Sequence, residues 1–126
     1  MLPASARLTN SKDFSLVVGR GRRAGRSRLV VHTLERPTCV PMAPGQARQG
    51  PVRVGFVVSK AVGNSVIRHR VTRRLRHLMA DRLGQLRSGS DVVVRALPRA
   101  GGASSADLGG DLDAVLRRLG LVSDPS

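Results

Sequence analysis

Apolar positions along the chain fall into short runs broken by glycine, proline and charge. Residues 8–19, LTNSKDFSLVVG, carry Leu8, Phe14, Val17 and Val18 at spacings that predict a short helix. Thr9, Asn10 or Ser11 can cap it, and Gly19 can stop it. Residues 20–28, RGRRAGRSR, show no apolar period and predict a loop. Residues 29–34, LVVHTL, are β-branched and apolar, as a strand requires. Residues 37–51 are rich in Pro and Gly and predict a flexible surface loop. Residues 52–59 alternate, with Val52, Val54, Phe56 and Val58 on one face of a second strand. Gly63-Asn64 then marks a turn, with Asn64 as N-cap of a helix over 65–87. On that helix Ile67, Val71, Leu75, Leu78, Met79 and Leu83 share one arc. Arg70, Arg73, Arg74, Arg76, His69 and His77 are assigned to the other arc. Residues 91–97, DVVVRAL, predict a third strand after a Ser-Gly-Ser turn. A Gly/Ser/Ala linker leads to a weaker closing helix over 111–119, and 120–126 read as a disordered tail. The order α-β-β-α-β-α is that of an α+β, two-layer α/β sandwich, and 126 residues suit a single domain spanning 1–126.

Charge narrows this general picture. The formal net charge is +14, and 22 cations face only 8 acids. A polyanion partner follows from such an excess: RNA, DNA or an anionic surface. No apolar run is long enough to cross a bilayer and the N-terminus has no signal-peptide core, so the expectation is a cytoplasmic protein without a membrane partner. Cys39 is the single cysteine, which excludes an internal disulfide and reads as an inert loop residue.

Catalytic groups are scarce. Asp13, Asp81 and Asp91 lie in separate predicted elements, and Asp111 and Asp113 read as acids at a helix start, set against its dipole. His69 and His77 have no cysteine partner and no zinc spacing. There is no phosphate loop, nucleophile elbow or dinucleotide fingerprint. What stands out is Val54–Arg76: an apolar strand, a Gly-Asn turn, then five arginines in the nine residues 68–76. Lys60 precedes the turn, whose free N–H groups favour an anion. Arg20, Arg22, Arg23, Arg26 and Arg28 are either a second contact site or a solvated basic loop. Phe14 reads as a core residue ahead of a base-stacking one, and His32 as core or edge packing in its strand. These features leave open a ribonucleoprotein subunit or another RNA-binding module, such as a ribosomal protein. A helix-turn-helix is disfavoured, because a strand and not a helix precedes the basic helix.

The segment RVGFVVSKAVGNSVIRHRVTRRLR closely resembles the signature of the bacterial ribonuclease P protein subunit. That family has a strand ending in Val-Ser-Lys, then Gly-Asn, then Arg-Asn-Arg with further basic residues one turn on. The matching positions are Ser59, Lys60, Gly63, Asn64, Arg68, Arg70, Arg73 and Arg76. RLTNSKDF, SRLVVHTLE, SGSDVVVRALP and DLDAVLRRL resemble the family's flanking elements in the same order. Three positions depart: His69 replaces the middle Asn, Val18 a common aromatic and Thr72 a common lysine.

The resemblance implies a sandwich with a left-handed β-α-β crossover. It implies a catalytic RNA subunit and precursor tRNA as partners, with no obligate protein partner. The RNA, using Mg²⁺ that it mainly holds itself, would cut off the 5′ leader, and the protein would assist. Carried over by position, Lys60, Asn64, Arg68, His69, Arg70, Arg73 and Arg76 would face the RNA. Phe14 and His32 would line the leader cleft.

Overall fold

A computed structural model describes Leu8 and residues 11–35, 52–86 and 90–120. Helix α1 is Ser11–Arg20, followed by strands β1 (Arg22–Gly25), β2 (Leu29–Glu35) and β3 (Arg53–Val58). Helix α2 (Ser65–Arg82), strand β4 (Ser90–Ala96) and helix α3 (Ser105–Arg118) complete the order. The sheet runs β1-β2-β4-β3. β2 is antiparallel to β1 and to β4, whereas β3 lies parallel to β4. A parallel neighbour demands a crossover, and α2 is that crossover.

Alternation sorts each strand between two cores. Leu29, Val31, Val54, Val92 and Val94 are buried on the face covered by α2 and α3. α2 contributes Val71, Leu75 and Met79, each fully buried, and α3 contributes Leu108, Leu112, Val115 and Leu116. Each such side chain contributes roughly 1.5–3 kcal/mol by leaving water. Ile67, Leu78 and Leu83 complete the predicted apolar arc of α2, and Val52, Val54, Phe56 and Val58 share this face as predicted. The reverse face is smaller. There α1 lays Val17 on Val93, with Phe14, Leu34 and Val57 packed around them. Leu8 joins this cluster and donates its N–H to the Val54 carbonyl at 2.9 Å, tying the start of the chain to β3.

Several predicted elements need correction. Residues 22–25, read as loop, form β1, an edge strand with Arg22 and Arg23 exposed. α2 ends at Arg82, followed by a 3₁₀ turn at Leu83–Gln85. α3 starts at Ser105, well before 111, because Ser104 and Asp107 form a capping box: Asp107 N–H donates to Ser104 Oγ at 3.1 Å and Ser104 N–H to Asp107 Oδ2 at 3.3 Å. Asp111 and Asp113 are therefore mid-helix and not helix-start acids. Asp111 is buried beside Arg26 and Arg28, and Asp113 accepts from Arg82 Nε at 2.7 Å. Cys39, the 37–51 segment, the caps Thr9 and Asn10, and the 121–126 part of the tail lie outside the described residues.

Candidate nucleic-acid interface

The turn that launches α2 is built from two residues with distinct roles. Gly63 has φ +156°, and a Cβ there would stand 2.9 Å from Ile67 Cγ2. Asn64 follows in extended conformation and its side chain accepts from the Ile67 N–H at 3.0 Å, closing the first turn. Its nearest task is thus to cap the helix that carries the arginines. Lys60 is exposed in a 3₁₀ turn immediately before.

From this start α2 presents His69, Arg70, Arg73, Arg76 and His77 to solvent. Among the described residues none of these arginines is joined to an acid. Like charges on one helical face repel, so the row does not stabilise the isolated protein. Arg68 differs. It lies seven residues before Leu75, on the flank of the apolar stripe, and is half-buried. Its Nε is buried without a partner among the described residues. It lines a shallow groove of about 260 Å³ with Val58, Ser65, His69, Thr72 and Arg76, where the end of β3 meets α2. Thr72 is turned back along the helix, donating Oγ1 to the Arg68 carbonyl at 2.8 Å.

One residue of the predicted outer arc belongs elsewhere. Arg74 follows Val71 by three positions and so lies beside it on the helix. It is half-buried and donates Nη1 to the Ala103 carbonyl at 2.6 Å, fixing the approach to α3.

The basic stretch 20–28 also resolves into separate tasks. Arg22 donates to the Leu119 carbonyl at 3.0 Å, satisfying the end of α3, and Arg26 and Arg28 flank Asp111 at 3.7 and 3.3 Å. Arg20 and Arg23 remain exposed without such a partner among the described residues.

On the reverse face, Phe14 sits on Gly55 so closely that a Cβ there would fall 2.2 Å from its Cζ. Gly55 pairs with Val93, Val93 with His32 and His32 with Arg23, so one row crosses the whole sheet under α1. His32 is buried and neither ring nitrogen has a partner among the described residues. Burial first, then the charges of Arg23 and Arg95, hold its pKa below the usual histidine value. Val18 is exposed on α1. Arg95, absent from the residues expected to act, faces out from the same side of β4; its place in the alternation DVVVRA is the sequence signal for it.

No three His, Cys, Asp or Glu among the described residues gather into a group that could hold a metal ion. The described carboxylates Asp91, Asp111 and Asp113 are engaged by arginines. No described helix is long and apolar enough to cross a membrane.

Comparison with known proteins agrees with this architecture. The sequence model of the Ribonuclease P family matches residues 2–120. The ribonuclease P protein component of Streptomyces bikiniensis is 58% identical over 119 residues, covering 94% of this chain and 95% of that protein. That of Rhodococcus opacus (strain B4) is 52% identical over 126 residues, covering 100% and 98%. The solved RNase P protein of Staphylococcus aureus superposes with a TM-score of 0.77 at 21% identity, over 94% of this chain and 98% of that one. For the Thermotoga maritima RNase P protein the TM-score is 0.71 at 22% identity, over 89% and 96%. At such identities the structural likeness speaks for the fold, while the sequence matches carry the kinship: this chain belongs to the Ribonuclease P family of protein components.

Proposed function

We propose that this protein binds the catalytic RNA of ribonuclease P and the 5′ leader of precursor tRNA, assisting Mg²⁺-dependent endonucleolytic removal of the leader. The observation that carries the reading is the outer face of α2, where Arg70, Arg73 and Arg76 project without acid partners among the described residues. A face that gains nothing from its charge in the free protein is suited to phosphates in a complex. Lys60 and the first turn of α2, capped by Asn64, extend it at one end; Arg68 and His69 line the groove beside β3. The leader occupies the opposite face, between α1 and the sheet, near Phe14 and His32. In this assignment the RNA holds Mg²⁺ and performs the hydrolysis, and the protein's described residues supply no catalytic group. Its contribution is to position phosphates and to offset their repulsion as leader and catalytic RNA come together.

The test is reconstitution with the cognate RNA, followed by assay of precursor-tRNA cleavage at low Mg²⁺. A rate well above that of RNA alone is expected; no gain would overturn the reading. Recovery from cells with ribosomal particles, and not with one large RNA, would instead support a ribosomal role.

A further inference from the structure

Two of the chain's 3 histidines, His69 and His77, stand within the arginine row of α2. A guanidinium keeps its charge at any pH a protein meets, whereas an imidazole changes charge between about pH 5 and 8. Each histidine lies four residues from Arg73, one before it and one after, so both are its neighbours on the helix surface. His69, Arg70, Arg73, Arg76 and His77 line one shallow groove of about 660 Å³ along α2, with Val66. All six side chains are exposed, so the groove is open to a ligand. Eight residues of helix separate the histidines by about 12 Å, which sets them against different phosphates of a strand lying along α2.

Charge around the groove is mostly positive. The 3₁₀ turn before α2 adds exposed Lys60, and the one before α3, Pro98–Gly102, adds exposed Arg99. The end of β3 offers Val58, beside half-buried Arg68. The acids of α3 are engaged elsewhere: Asp107 in its cap, Asp111 beside Arg28 and Asp113 with Arg82. The turn after α2, Leu83–Gln85, carries no acid. On α2 itself Asp81 follows His77 by four residues, is exposed, and is joined to neither histidine among the described residues.

We propose that His69 and His77 are proton-linked RNA contacts: each takes up a proton as RNA seats on α2, and as imidazolium donates to a phosphate oxygen. The phosphate supplies the negative charge that this face lacks, and an adjacent negative charge favours the protonated ring. A charged donor in turn holds a phosphate more strongly than a neutral one. Affinity for RNA therefore rises as pH falls through the range in which imidazole titrates. His69 stands where the family signature has Asn, which has no proton to exchange, and His77 lies beyond the signature, so the linkage does not come with the signature. The inference rests on the RNA-binding reading of α2 above and adds a titratable component to that face.

The experiment titrates the full-length protein with the catalytic RNA at fixed salt and Mg²⁺, beside a His69→Asn, His77→Gln double variant. The amides keep hydrogen-bonding capacity without the charge, and His32 and the RNA are common to both titrations. The natural protein is expected to bind about tenfold more tightly at about pH 6 than at about pH 8, the size of a charged hydrogen bond. The variant should match it within about twofold at the higher pH and lose most of the gain at the lower. The slope of log K against log salt should steepen for the natural protein at the lower pH by roughly one to two units, at about 0.7–0.9 for each phosphate newly neutralised. Calorimetry in buffers of different ionisation enthalpy needs no variant and should show net proton uptake on binding. Equal pH dependence for the two proteins, a variant equally weakened at both pH values, or no proton uptake would overturn the linkage and leave RNA binding standing. A natural protein that fails to bind the RNA at either pH would overturn the reading beneath it.

Discussion

Arg70 and Arg74 are the same residue type on the same helix, four positions apart, yet one faces solvent and the other is bonded to the Ala103 carbonyl. Residue identity supplies the charge; position relative to Val71 decides the role. Asn64 makes the converse case. The signature assigns it to RNA, but its visible partner is the Ile67 N–H, so its removal is expected to act through the helix. Asn64→Ala should cost about 1 kcal/mol of stability, with Asn64→Asp largely restoring it, as thermal unfolding would show. His32 gives a pH dependence of definite sign. Its folded pKa is lowered below 6.5, by burial first and then by Arg23 and Arg95. Between the folded and unfolded pKa values the unfolded chain binds the extra proton, so stability rises with pH. The contribution is complete above the unfolded value and is lost as pH falls through 6.5 toward the lower folded value. Denaturant unfolding from about pH 8 to about pH 5 should show this slope, and His32→Leu should flatten it.

Elements with an apolar period were legible from sequence, and those fixed by partners distant in the chain were not. β2–β4 and the start and apolar face of α2 were legible because their stripes of Val, Leu and Ile match the periods of helix and strand, although α2 stops at Arg82, short of the predicted 87. β1 has no stripe: Arg22 and Arg23 are exposed and Ala24 is its one packed apolar residue, so it exists because β2 offers a free edge. Its arginines also blunt that edge against further pairing. The start of α3 was hidden by Gly109 and Gly110, which disfavour a helix by about 1 kcal/mol each. Packing explains the first of them: a Cβ at Gly109 would stand 3.3 Å from both Leu78 and Arg82, so the small residue permits the close approach of α2. Asp111 was misread for a related reason, since Arg28, its partner at 3.3 Å, is 83 positions away. Asp111→Ala is therefore expected to destabilise the fold by about 1–3 kcal/mol, toward the lower end because its arginine partners are partly exposed. Urea unfolding would measure it. A change under a few tenths of a kcal/mol would show that the arginines find other acceptors.

Charge at the level of the whole protein is divided between two uses. Toward α3, scarce carboxylates and helix-end carbonyls engage Arg22, Arg26, Arg28, Arg74 and Arg82. On the outer face of α2, Arg70, Arg73 and Arg76 face no such acceptor among the described residues. Net charge alone cannot reveal this division, and it separates two accounts of RNA affinity. If +14 acts as a diffuse field, any two exposed arginines are equivalent. If α2 meets the phosphates directly, they are not. Arg70→Ala with Arg73→Ala and Arg117→Ala with Arg118→Ala each remove two exposed cations, the second pair from the last turn of α3. The α2 pair should lower the slope of log K against log salt by roughly one to two units, at about 0.7–0.9 for each phosphate no longer neutralised. The α3 pair should leave the slope nearly unchanged. Titration of the catalytic RNA at several monovalent salt concentrations, with Mg²⁺ fixed, reads both. Equal slopes for the two double variants would mean that the field of the whole molecule, and not the row on α2, sets the affinity.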